Sequence, residues 1–237
     1  MKTELIVALD VPAANLVPGV VRALPAEISL YKVGLELFTA EGPAIVKTLA
    51  EQGKRVFLDL KLHDIPRTVA RAVTAAGQHR VAMLTVHAGG GRGMLKAAAE
   101  AARECGAGAP RLLAVTTLTS LAAEDLADLG ITRPLREHTL SLGELAVAAG
   151  IDGLVCSPLE AAEFRSRLGP KPLLVTPGIR PAGADAGDQK RIATPAAAVR
   201  AGADYLVVGR PILEAPDPRA AAEEILRQMR DASAPLS

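Results

Sequence analysis

At 237 residues the chain is close to the roughly 250 that an eight-fold β/α barrel uses, and it is long enough to bury one substantial core. Its 27 basic and 26 acidic residues nearly cancel, so no net field recruits nucleic acid or an anionic membrane, and a small-molecule ligand is expected instead. Charges or prolines interrupt every apolar stretch before the roughly 20 residues of a membrane span, and the first ten residues carry no export pattern, so a cytoplasmic location is expected.

Short β-rich runs alternate with longer stretches of helical periodicity along the whole chain. A strand at Leu5 to Asp10 opens the series, followed by Ser29 to Val33, a helix over Pro43 to Gln52 and a strand over Arg55 to Lys61. A helix over Arg67 to Ala76 leads to a strand at Met83 to His87, and a helix at Gly93 to Glu104 leads to a strand at Leu112 to Thr117. Helices at Leu135 to Ala149, Leu159 to Leu168, Pro195 to Ala201 and Arg219 to Arg230 then enclose strands at Gly153 to Ser157, Pro172 to Thr176 and Tyr205 to Gly209. Several helices stop at glycine: Gly53, Gly77, Gly106, Gly150, Gly169 and Gly202. Eight strands close a barrel, so the fold class expected is α/β, a (β/α)8 TIM barrel forming a single domain over 1–237. The end, 232–237, is expected to fray, and the polar Gly/Ala/Asp-rich stretch 181–189 is a candidate mobile lid.

An open doubly wound sheet has the same alternation. Its dinucleotide fingerprint is absent, because the glycines from Gly89 to Gly93 do not satisfy G-x-G-x-x-G and follow the fourth strand, not the first. Cys105 and Cys156 form no Cys-x-x-Cys or Cys/His spacing and read as buried thiols. No metal and no cofactor is expected.

In a barrel the chemistry sits at the C-terminal ends of strands. Residues out of keeping with a packed strand, most of them polar, collect there in all eight: Asp10, Lys32, Asp59 with Lys61, His87, Thr117 with Thr119, Ser157, Pro177, and Gly209 with Arg210. On the third strand, parity puts Phe57, Asp59 and Lys61 on one face and Val56, Leu58 and Leu60 on the other. Asp59 and Lys61 therefore aim into the barrel mouth, with Asp64 three residues on, in the spacing Asp-x-Lys-x-x-Asp. The same parity points Asp10 and Lys32 inward, so neighbouring strands present an acid beside a base. Charges at the edge of an apolar core are costly unless paired, and we expect an alternating network with a lysine held between carboxylates. An ion-pair ladder without chemistry is the plain alternative, though buried ion pairs stabilise poorly compared with apolar packing. A second cluster, Val208-Gly209-Arg210-Pro211 with Pro177-Gly178-Ile179-Arg180, reads as a phosphate grip in the position usual for this fold.

From Ala8-Leu9-Asp10 to Val208-Gly209-Arg210 these segments resemble the orotidine 5′-phosphate decarboxylase family, with Lys32-Val33-Gly34, Asp59-Leu60-Lys61-Leu62-His63-Asp64-Ile65-Pro66, Val115-Thr116-Thr117-Leu118-Thr119-Ser120 and Pro177-Gly178-Ile179-Arg180-Pro181 between them. Asp188-Gln189 matches as well. The resemblance implies a carboxy-lyase that converts orotidine 5′-monophosphate (OMP) to UMP and CO2 in pyrimidine biosynthesis, without cofactor or metal. It implies that Asp10 and Lys32 hold the ribose hydroxyls and that Asp59, Lys61 and Asp64 form the catalytic array. Thr119 would meet the pyrimidine edge, Gln189 would bridge base and phosphate, and Arg180, Gly209 and Arg210 would bind the phosphate. The family is homodimeric, and Asp64, Ile65 and Thr68 would reach into the partner's site. His63 and His87 are expected to be structural. The nearest alternatives are magnesium-dependent sugar-phosphate barrels that share Asp-x-Lys-x-x-Asp, and a catalytically silent nucleotide-binding barrel.

Overall fold

The computed structural model describes residues 3–181 and 192–233. Eight parallel strands, paired in chain order, close into a barrel: β1 (Glu4–Ala8), β2 (Leu30–Val33), β3 (Arg55–Leu62), β4 (Met83–His87), β5 (Arg111–Val115), β6 (Gly153–Val155), β7 (Leu173–Thr176) and β8 (Tyr205–Val208). The seam is β8 against β1, with Glu4 opposite Tyr205 and Val7 opposite Val208. Around it run α1 (Val17–Ala23), α2 (Leu35–Glu41), α3 (Ala44–Glu51), α4 (Pro66–Gln78), α5 (Gly91–Glu104), α6 (Ala123–Asp128), α7 (Leu135–Ala148), α8 (Pro158–Leu168), α9 (Pro195–Arg200), α10 (Arg210–Leu213) and α11 (Pro218–Ser233). The α/β single-barrel fold expected from the alternation is the fold observed.

Period-two alternation sorts the strand side chains into two cores. Ile6, Ala8, Leu30, Phe57, Met83, Leu113, Val175 and Val207 fill the barrel interior. Leu5, Val7, Tyr31, Val33, Val56, Leu58, Leu84 and Val86 face outward and pack under the helices. Each fully buried aliphatic or aromatic side chain contributes roughly 1.5–3 kcal/mol, so the site above stands on a rigid floor.

β1, β5 and β6 each end two residues earlier than the sequence suggests, because the ladder stops where the strands splay at the mouth. Single bonds carry on past those ends, for instance Leu9 N–H to the Lys32 carbonyl at 2.9 Å and Cys156 N–H to the Val175 carbonyl at 3.2 Å. Asp10, Thr117 and Ser157 thus lie past the strand ends; Asp10 faces the cavity at the mouth, whereas Thr117 and Ser157 are buried. Gly77 is not the helix stop it resembles. α4 runs on through it, and a Cβ there would lie 2.5 Å from Cys105 Sγ, so close packing against the segment after α5 requires glycine. α1 escapes sequence reading because Val17-Pro18-Gly19-Val20-Val21 has poor helix propensity; packing of the buried Val17 and Val21 forms it.

Candidate active site

The site begins with an irregularity in β3. Leu58 pairs with Leu84 and Leu62 with Val86, so Asp59, Leu60 and Lys61 together stand opposite Thr85 alone. An insertion of two residues preserves side-chain parity, whereas a one-residue slip would have inverted it. Leu60 and Leu62 therefore still pack outward, and Asp59 and Lys61 still line the cavity at the mouth. Lys61 takes a left-handed backbone, φ 50°, which costs a non-glycine residue on the order of 1–2 kcal/mol. Its N–H leaves the ladder and donates to Thr85 Oγ1 at 2.8 Å, and the same hydroxyl donates to Asp59 Oδ1 at 3.0 Å.

Lys61 Nζ lies 3.0 Å from both oxygens of Asp59. Lys32 Nζ lies 2.9 Å from Asp10 Oδ1 and 3.9 Å from Asp59 Oδ2. The network Asp10–Lys32–Asp59–Lys61 is thus the alternating one expected, with Lys32 between the carboxylates of Asp10 and Asp59, and Asp59 between the ammonium groups of Lys32 and Lys61. At about 4 Å and an effective dielectric of roughly 20, such a contact is worth about 4 kcal/mol before desolvation is subtracted. Asp59 and Lys32 are mostly buried, whereas Lys61 keeps a third of its side chain open toward the cavity. Gly34 makes room for this arrangement, since a Cβ there would come within 2.8 Å of Lys32 Nζ.

Asp64 does not join the array in its own chain. Its Oδ1 accepts the N–H of Ile65 at 2.6 Å, and the whole run from His63 to Thr68 is exposed, with Ile65 67% accessible. Pro66 starts α4 and leaves Ile65 extended, which turns this run outward. Beside it, the His63 and His87 rings stack with centroids 5.0 Å apart, and His87 Nδ1 accepts the Gly89 N–H. Burial foremost, then the neighbouring His63 and Lys61, pulls the His87 imidazole below its ordinary range.

Across the mouth, Arg180 is buried, its Nη1 donating to the Ile179 carbonyl at 2.9 Å. Arg180, Arg210, Gly209 and Thr119 line the same cavity of about 230 Å³ as Asp10, Lys32, Asp59 and Lys61, over an apolar floor that includes Phe57, Val155 and Val207. Gly209 sits against Asp10, where a Cβ would fall 3.1 Å from its Oδ2. The helix after β8 is a single turn, so positive charge here comes from the two guanidinium groups and local N–H groups more than from a helix dipole. Of the residues expected at the site, Ile65 and Thr68 lie with Asp64 on the exposed run, and Gln189 falls outside the described residues, as does most of the expected lid. Thr85 was missed by sequence reading; its signal is a polar side chain at an inward position two residues before His87.

The fold and this mouth define a class: closed (β/α)8 barrels carrying a lysine–carboxylate array at the C-terminal ends of the strands. The chain belongs to the Orotidine 5'-phosphate decarboxylase / HUMPS family, whose model matches residues 3–225. It is 56% identical over 218 residues to an orotidine 5'-phosphate decarboxylase of Anaeromyxobacter sp. (strain K), covering 92% of this chain and 94% of that one. The enzyme of the same name from Moorella thermoacetica is 51% identical over 233 residues, covering 96% and 92%. Among solved structures, that of orotidine 5'-phosphate decarboxylase from Lactobacillus acidophilus superposes with a TM-score of 0.85 at 38% identity, over 96% of this chain and 99% of that one.

Proposed function

We propose that the chain converts OMP to UMP and CO2 by direct loss of the carboxyl group at pyrimidine C6. The C6–carboxyl bond breaks, CO2 departs, and the electron pair remains at C6, where Lys61 Nζ delivers a proton and later regains one from water. The observation that carries this reading is the ammonium of Lys61, pinned by both oxygens of Asp59 at the mouth and sharing one cavity with Arg180 and Arg210. A fixed ammonium stabilises negative charge developing at C6 and is in place to donate. Asp59 is positioned to hold Lys61 and to set negative charge near the departing carboxylate. Arg180, Arg210 and the backbone at Gly209 take the phosphate, Asp10 and Lys32 the ribose hydroxyls, and Thr119 the pyrimidine edge. Binding energy from the phosphate, remote from C6, orders the site for the chemical step. Gln189 and the stretch 181–189 are assigned to covering the phosphate on sequence resemblance alone.

The working unit is a homodimer in which Asp64, Ile65 and Thr68 of each protomer complete the partner's site. The exposed Ile65 beside an outward-turned Asp64 supports this, as does the pairing of Lys61 with one carboxylate, that of Asp59, among the described residues of one chain. We place the protein in the cytoplasm as a single domain. Both cysteines are free thiols, and among the described residues no helix is long and apolar enough to cross a membrane.

Loss of OMP absorbance, followed with excess EDTA present, tests the reaction. Turnover unaffected by the chelator is expected; a parent chain inert toward OMP, or active only with magnesium on a sugar phosphate, refutes it. Mixing Asp64→Ala with Lys61→Ala chains tests the shared site. Neither parent variant should turn over, and the mixture should regain activity in the heterodimer that retains one intact site; silence in a mixture shown to exchange subunits refutes it.

A further inference from the structure

We propose that Thr85 is a positioning residue for this reaction: its one hydroxyl, set opposite the two-residue insertion in β3, fixes the backbone of Lys61 and the carboxylate of Asp59 together. Thr85 is fully buried and points into the barrel above Met83. A hydroxyl there is retained only if its bonds are made. The direction of both bonds is forced. Lys61 N–H can only donate, so Thr85 Oγ1 accepts from it, and the hydroxyl proton is left for Asp59 Oδ1.

The two bonds act on the same geometric problem. The insertion takes Lys61 N–H out of reach of the β4 ladder and puts Lys61 into the left-handed region, a conformation that persists only where the surroundings over-determine it. The Thr85 hydroxyl stands in for the missing ladder partner. Through its second bond it also sets the rotation of the Asp59 carboxylate, whose two oxygens face Lys61 Nζ at 3.0 Å each. Lys61 is thereby held at both ends, by its N–H and by its ammonium, through one side chain of β4. Threonine suits the task because its β-branch restricts χ1 and fixes where the hydroxyl points. Serine would keep the bonds with a looser rotor, and valine would keep the shape and lose both bonds.

The inference rests on the decarboxylase reading, and the test separates the two. Parent, Thr85→Val and Thr85→Ser chains are assayed for kcat and KM on OMP and titrated with UMP, whose binding also reports an intact fold. The parent must release CO2 from OMP; if it does not, the decarboxylase reading fails. With an active parent, Thr85→Val should lose about 10²-fold in kcat, the scale of a misplacement near 1 Å, while KM and UMP affinity stay close to the parent's. Thr85→Ser should restore most of the rate. A Thr85→Val chain with the parent's kcat overturns the role of Thr85. So does a Thr85→Ser chain as slow as the valine variant, because the methyl and not the hydroxyl would then matter. Should Thr85→Val fail to bind UMP at all, the serine variant decides by the same criterion.

Discussion

The two ends of the barrel carry the same residue types and use them in opposite ways. At the N-terminal end two carboxylates are committed to backbone as well as to a partner. Asp152 accepts the Leu112 N–H and the Arg111 guanidinium, both at 2.9 Å. Asp204 accepts the Leu174 N–H at 2.8 Å and Arg165 at 2.7 Å, and Arg165 also donates to the carbonyls of Gly169, Pro172 and Gly202. At the mouth, Asp10, Lys32, Asp59 and Lys61 bond to one another and to one hydroxyl, and they face a cavity. The lower end also has a cavity, about 310 Å³ between the start of β1 and α11, lined by Glu4, which pairs with Arg55, and by Glu27 and Arg230, 3.6 Å apart. A connected run of four charges lining one cavity marks the reactive end; volume does not. Asp152 and Asp204, tied to backbone, complete the fold, whereas the linked charges at the C-terminal ends of the strands face space that a ligand can enter.

The sharpest way to break that distinction is Lys61→Ala. Turnover should vanish while UMP binding stays measurable, because the contacts proposed for phosphate and ribose lie elsewhere in the cavity; stopped assays with OMP beside equilibrium UMP titration check both halves. Near-normal turnover would mean that the array is a ladder of ion pairs and nothing more. Arg210→Ala should act through binding, raising KM for OMP by about 10- to 100-fold, the usual worth of a charge-assisted hydrogen bond. An unchanged KM would remove Arg210 from the phosphate site.

Much of this mouth was legible in the sequence because a strand's period is a property of local geometry. Parity alone put Asp10, Lys32, Asp59 and Lys61 on the inner face, and it survived the insertion in β3 only because that insertion is even. What parity cannot register is where a ladder breaks. The left-handed Lys61 and the bond from its N–H to Thr85 depend on the register between β3 and β4, which no single strand encodes. The outward course of Asp64 is equally hidden from parity, because the turn before Pro66 carries it away from Lys61 although the two are near in sequence. Gly77 illustrates the complementary failure, since a glycine needed for close packing against Cys105 looks like a helix stop when the neighbour is unknown.

At the other end the effect should move from rate to stability. Asp204→Ala strands the Leu174 N–H and takes the carboxylate from Arg165, which keeps its carbonyl acceptors, and leaving such a partly buried donor unsatisfied costs about 1–3 kcal/mol. Urea unfolding should shift to a lower midpoint by that amount, with kcat on OMP equal to the parent's. A fall in kcat without a fall in stability would mean that the lower end is coupled to the chemistry, and the division between the two ends would fail.

The smallest effect is a pH dependence seated beside the mouth. The imidazole of His87 is held below its ordinary range by burial first, then by His63 stacked on it and by Lys61. The folded protein therefore favours the neutral ring, whose Nδ1 accepts the Gly89 N–H; a protonated ring would present a donor there instead. Above the unfolded value near 6.5 both states are neutral at this site and it leaves stability independent of pH. As pH falls below about 6.5 the unfolded chain takes up the proton first, so stability declines, and the decline continues until the folded ring is protonated as well. His138 on α7, lowered by burial and then by Arg133, adds a slope of the same sign. His87→Asn can keep an acceptor near Gly89 and cannot titrate, so it should flatten part of the slope of unfolding free energy between about pH 6.5 and 5, and His87→Asn with His138→Asn should flatten more of it. Identical slopes in parent and His87→Asn would show that the ring is not held neutral by its surroundings, and the histidine pair would then contribute packing alone.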